Sequence, residues 1–170
     1  MLKILQITLL FLAVSVASYA QADIKIAHVD TDNVLISLPE YPAASKQLEA
    51  FGKQLSDQIA NKEKEYETKG KKLQLEKDDL IPIILEERVK ELKQLEESIV
   101  SFQKTAQESM KQKQGQLFTP LMVKIQKEIN RVSKADGYAF IFPIQAFLYA
   151  ENKNDLTATI IKNLGGTVKE

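Results

Sequence analysis

Few side chains in this sequence have the type and spacing to do chemistry. His28 is the single histidine of 170 residues, and cysteine is absent. Thiol catalysis and zinc–thiolate sites are thereby excluded. His28 lies in Ile24-Lys25-Ile26-Ala27-His28-Val29, a run with strand character, which points to a structural role rather than to acid–base work. Two carboxylate pairs stand out. Asp30 and Asp32 precede an apolar run and read as helix caps, whereas Asp78 and Asp79 read as a turn. A calcium loop would need further spaced oxygen ligands, a glycine and a terminal glutamate that neither pair has. Gly165-Gly166 follows a helical pattern and reads as a stop, not a phosphate cradle. No HxxxH, nucleophile-elbow, P-loop or dinucleotide-binding pattern occurs. The expectation is a protein that is not an enzyme and has no catalytic, metal or cofactor-binding residues.

Charge narrows the partners. Lysine plus arginine number 23 and aspartate plus glutamate 23, so no net field draws in nucleic acid or an anionic membrane. The lysines lack the interleaved aromatics of a nucleic-acid groove. Opposite charges are mixed along the chain, as a solvated helix surface requires.

The elements that must position these residues are dominated by one stretch, roughly 41–117. Its apolar residues are sparse and regularly spaced. Leu48, Leu55, Ile59, Tyr66, Leu73 and Leu80 run outward, and Leu92, Leu95, Ile99, Phe102 and Ala106 run back. The second set keeps the 3–4–3–4 spacing of a narrow seam facing a partner helix. Lys77 to Pro82 supplies turn chemistry, with Pro82 suited to the first position of the returning helix. The stretch predicts an antiparallel helical hairpin held out in solvent. Each arm helix of about 38 residues would reach about 57 Å. Folding the chain at residue 80 places Leu48 near Gln112 and Tyr66 near Gln94–Leu95. The apolar cluster Leu80-Ile81-Pro82-Ile83-Ile84-Leu85 falls at the tip.

The flanks supply a leader and a body. Lys3, the apolar run Ile4–Val16 and the small residues Ser18 and Ala20 form a signal peptide, cut after Ala20 or Ala22. The run is too short for a comfortable membrane span, which needs about 20 residues. An exported protein is expected, with no stable membrane insertion. The body is expected in two pieces, 23–40 and 118–170. It comprises a strand around Ile26–Val29, the end of the returning helix through Phe118, Leu121, Ile125, Ile129 and Val132, strands at Tyr138–Phe142 and Ala146–Ala150, and a final helix from Leu156 to Leu164. Pro120 sits where arm meets body and is expected to act as a hinge. The fold class is α+β: a small three-strand body with a long helical arm. A body of about 65 residues is marginal alone and has open sheet edges. Ile26, Val29, Tyr138, Phe140, Phe142, Phe147 and Tyr149 are expected to face other copies in a shared closed sheet.

In this order the pieces resemble the Skp/OmpH family of periplasmic chaperones for outer-membrane proteins. The likeness is carried by Ile26-Ala27-His28-Val29-Asp30 leading to Leu38-Pro39-Glu40-Tyr41, by Leu117-Phe118-Thr119-Pro120-Leu121-Met122 and by Phe147-Leu148-Tyr149-Ala150 with Ile160-Ile161-Lys162-Asn163-Leu164. The resemblance implies a homotrimer with a central barrel of pooled strands and three arms around a cavity. It implies that unfolded outer-membrane proteins are held there without nucleotide, preventing aggregation before insertion. Well-known members are strongly basic; this neutral chain departs from them, which argues against lipopolysaccharide binding. Client contact is expected at Tyr66, Leu80, Ile81, Ile83 and Ile84. The rival reading is a structural or adaptor protein whose coiled arm binds one defined envelope partner.

Overall fold

The computed structural model describes residues 24–168. The expected leader and its two cleavage points lie outside the described residues. Strand β1 (Ile26–Val29) is followed by helix α1 (Thr31–Ser37), helix α2 (Tyr41–Glu76), helix α3 (Pro82–Asp136), strand β2 (Phe140–Pro143) and helix α4 (Thr157–Asn163). Short 3-10 turns at Ile144–Ala146 and Asn152–Asn154 fill the connection before α4.

Local chemistry explains the boundaries. The Asp30 carboxylate accepts from the backbone N–H groups of Asp32 and Asn33 at 3.1 and 3.0 Å, capping α1. Leu38 leaves the helical region, with ψ 140°, because Pro39 follows it and disfavours α geometry in the preceding residue. Pro42 and Pro82 lie in the first turns of α2 and α3, where a missing N–H costs nothing. Gly137 ends α3 with φ 72°, a left-handed value that glycine adopts without a Cβ penalty.

Helices α2 and α3 form the expected hairpin. α2 has 36 residues and spans about 54 Å at the rise of an α-helix. α3 has 55 residues, so it runs back along α2 and on into the body without a break at Pro120. The cross-hairpin contacts give the register: Lys69 opposite Glu91, Lys62 opposite Ser98, and Gly52 against Met110. That is the pairing a fold at residue 80 requires.

At the other end lies the core. Ala27, Val29, Val34, Leu38, Ala44, Leu121, Ile125, Ile129, Val132, Leu156, Ile160 and Ile161 bury together. Burying one side chain of the Val, Leu or Ile kind contributes about 1.5–3 kcal/mol, so this cluster anchors the whole chain. β1 and β2 pair in parallel, Ile26 with Phe140 through Val29 with Pro143. Parallel strands need a long crossover, and here the entire hairpin is that crossover.

Two expectations are corrected. Residues 146–150 form no strand, so the described residues hold two strands rather than the expected three. β1 had no ladder to offer them. The far edge of β1 is taken by a bridge from His28 to Asp155 and by the Leu156 N–H, which donates to the His28 carbonyl at 2.9 Å. β2 ends on Pro143, which has no N–H to offer. Val29, expected to face a second copy, is only 2 % exposed. It is taken up by the chain's own core, because β1 turns Val29 toward α3 and α4 rather than outward.

Candidate functional site

The residues with chemical potential are placed as structural parts. His28 is buried in β1, Asp30 caps α1, Asp32 occupies the first turn of α1, and Asp78 with Asp79 lies in the hairpin turn. Gly165, with φ 77°, and Gly166 close α4: the Gly166 N–H donates to the Ile161 carbonyl at 2.9 Å. Among the described residues no three His, Asp or Glu side chains converge as metal ligands.

The surface with functional potential is the hairpin. Between Ser45 and Thr105 no residue is fully buried. The seam residues Leu48, Leu55, Ile59, Leu73, Leu92, Leu95, Ile99 and Phe102 are half-buried, each covered on one side only. Such a seam packs two helices against each other and leaves one side open to solvent. Polar ties supplement it. Lys69 bridges Glu65 at 2.9 Å and Glu91 at 2.5 Å, and the Lys62 and Lys113 ammonium groups sit 5.8 and 5.9 Å from the ring centres of Phe102 and Phe51. The Lys69 hydrogen bond holds the Glu91 carboxyl below its ordinary range, and Glu91 and Glu65 together raise Lys69. Solvent screens exposed pairs of this kind, so they tune the hairpin rather than hold it.

The structure divides the expected contact residues into two groups. Ile81 and Ile83 stand out from the tip, 62 and 66 % exposed. Tyr66, Leu80 and Ile84 are half-buried against the hairpin itself. Three further apolar side chains project from the arm and escaped the sequence reading: Leu75, Val89 and Val100. Their signal was present. Each lies off the seam spacing among charged neighbours, and Val89 and Val100, about three turns apart, share one side of α3. Attention to the seam hid the residues that violate it.

The body carries a second apolar surface. Phe140 stacks on Phe142 at 6.0 Å, Phe142 meets Phe147 edge-on at 5.6 Å, and Leu148 and Tyr149 are almost wholly exposed beyond them. Ile26 is partly exposed on the same strand pair, whereas Tyr138 is half-buried against the core. Exposed apolar patches of this sort mark interaction sites. Pro120 lies one residue before the buried Leu121, at the core's edge. It deprives the Gln116 carbonyl of its helical donor there. No helix among the described residues is long and apolar enough to cross a membrane.

The arm, the small body and their order along the chain find a counterpart among known proteins. The family model of OmpH-like outer membrane proteins matches residues 25–164. The chain belongs to the OmpH-like family. Among its relatives are the chaperone protein Skp of Pectobacterium atrosepticum, 23% identical over 153 residues, and that of Yersinia enterocolitica, 24% identical over 153 residues. Each alignment covers 90% of this chain and 93% of the relative. A crystal structure from Caulobacter crescentus, described as an OmpH-like outer membrane chaperone, superposes with a TM-score of 0.71. It shares 14% identity and covers 85% of this chain and 86% of that one, so the OmpH-like fold is shared.

Proposed function

We propose that this protein is an ATP-independent holdase that binds unfolded outer-membrane proteins in the periplasm and keeps them from aggregating before insertion. The observation that carries this reading is the half-covered hairpin, which has no fully buried residue from Ser45 to Thr105 and holds Leu75, Ile81, Ile83, Val89 and Val100 out in solvent. Its membership of the OmpH-like family, with relatives that are Skp chaperones, supports the same reading. In this reading residues 1–22 are a signal peptide cut after Ala20 or Ala22. Residues 23–40 and 118–170 form the associating body, residues 41–117 form the arm, and Pro120 is a hinge between them.

Physically, a holdase needs many weak contacts. Apolar burial contributes about 25 cal/mol per Å², so one exposed valine or isoleucine holds little. Three arms acting together hold a chain by multivalency while every contact stays breakable. A homotrimer supplies them, formed through the open edge of β2 and the Phe140, Phe142, Phe147, Leu148 and Tyr149 surface. The balanced charge leaves apolar contact as the main attraction, and lipopolysaccharide is not among the proposed ligands.

The decisive experiment dilutes a urea-denatured porin into buffer with and without the mature protein, in the absence of ATP. Light scattering should be suppressed at about one trimer per porin. The Leu75→Ser, Ile81→Ser, Ile83→Ser, Val89→Ser, Val100→Ser variant should keep the helical signal and lose most of the suppression. Equal aggregation with and without the unaltered protein would refute the holdase reading.

A further inference from the structure

The one histidine is buried in β1 with its two ring nitrogens in different surroundings. Its Nε2 lies 3.2 Å from the Glu151 carbonyl oxygen. That contact is a hydrogen bond only if Nε2 carries the proton and donates it. In the neutral ring Nδ1 is then a bare acceptor. This Nδ1 is buried and has no hydrogen-bond partner. The group it faces is another acceptor, the Asp155 carboxylate, with Oδ1 3.8 Å away and the imidazole only 6% exposed. Two acceptors aimed at each other across a gap are an unmade bond; a proton on Nδ1 together with an approach of about 1 Å would make it.

The surroundings single out this pair. On the segment that follows β2, Phe147 presents an uncharged ring 6.0 Å from His28, and Glu151 gives its backbone carbonyl while its carboxylate pairs with Lys153. From β2, the register partner of His28 is Phe142. On the chain after β1, Asp30 spends its carboxylate on the N–H groups of Asp32 and Asn33. At the start of α4, Thr157 donates its hydroxyl and its N–H to Asp155 Oδ1. Asp155 is therefore the one carboxylate directed at the ring.

We propose that His28 is a pH-operated latch between β1 and the 147–155 segment, closed by an imidazolium–carboxylate bond to Asp155 on the acid side of neutrality. Histidine is the side chain whose charge ordinarily changes between about pH 5 and 8. A protonated Nδ1 would donate a charge-assisted hydrogen bond to the facing carboxylate. When the latch closes, the backbone bridge from His28 to Asp155 is reinforced by a side-chain bond. When pH rises, the segment loses the Nδ1–Asp155 bond and keeps the backbone bridge, the Nε2–Glu151 bond and the Thr157 bonds to Asp155. That segment carries the exposed Leu148 and Tyr149. The latch thus controls how rigidly the body's apolar surface is displayed; any effect on assembly rests on the association proposed above, but the latch itself does not.

Hydrogen–deuterium exchange of the full mature chain tests it, following peptides within residues 145–156 at about pH 5.5 and about pH 8, each corrected for intrinsic exchange. The segment should be about threefold or more better protected at the lower pH. Asp155→Asn should abolish that step, since asparagine retains a side-chain oxygen able to cap α4 but carries no charge. His28→Gln should abolish it too. A flat profile in the unaltered protein, or an undiminished step in Asp155→Asn, would overturn the latch. If His28→Gln fails to fold, the Asp155→Asn comparison decides alone. A failed porin assay would leave the exchange result unaffected, so the two readings can fail separately.

Discussion

Tyr41 stacks on Phe118, with ring centres 5.7 Å apart and planes 21° from parallel. The pair joins the first residue of α2 to the stretch of α3 just before Pro120. Beside it, the Lys124 ammonium holds the Glu40 carboxylate across the same two helices. The arm is therefore clamped at its root by one aromatic pair and one ion pair, and between Ser45 and Thr105 nothing is fully buried.

Removing the aromatic half of the clamp should loosen the arm without dissolving the core. Tyr41→Ala is expected to cost about 2 kcal/mol in urea unfolding, from lost burial and lost ring contact together. Tyr41→Phe should be close to neutral. Scattering should show a wider spread of arm angles for the alanine variant.

Gly166 is expected to tolerate no side chain. A Cβ there would lie 2.5 Å from the Ser37 carbonyl oxygen and 2.9 Å from Ile161 Cγ2. The nearer obstacle is backbone, which cannot swing aside. Gly166→Ala should destabilise by about 1–3 kcal/mol, measured by thermal unfolding.

Acid should weaken the junctions among α2, α3 and α4. Hydrogen bonds from Lys124 and Arg131 hold the carboxyls of Glu40 and Glu128 below their ordinary value of 4.5; at Glu128 partial burial pushes upward and is outweighed. A carboxyl depressed in the folded state stabilises above its unfolded value and loses that contribution as pH falls through the folded one. Thermal stability should therefore decline as pH drops below about 4.5. Glu128→Gln should flatten part of the decline while still accepting the bond that Asn163 donates at 2.8 Å. A decline of unchanged steepness in that variant would place the acid sensitivity elsewhere.

The exposed body surface should govern association. Leu148→Asp combined with Tyr149→Asp should lower the native mass toward a single chain, by light scattering, with little change in helix content. Neither side chain packs in the core, so little folding energy is lost with them. Retention of full mass would move the contact away from this surface.

The hairpin was legible in the sequence because helical geometry is local. Seam spacing from Leu48 to Leu80 and from Leu92 to Ala106, with prolines at both helix starts, determined two antiparallel helices and their register before any long-range contact was known. The cap at Asp30 and the stop at Gly165-Gly166 were legible for the same reason: each acts on backbone groups a few residues away. Tertiary structure alone decided the rest. Whether Ala146–Ala150 becomes a strand depends on a free ladder edge, and Asp155 occupies the one that β1 could have offered. Whether Val29 faces a partner or the core depends on where α3 and α4 lie, and whether His28 finds a proton acceptor or a gap depends on a carboxylate 127 positions later in the chain. Periodicity tells a residue which neighbours share its face, but only the folded chain says what that face meets.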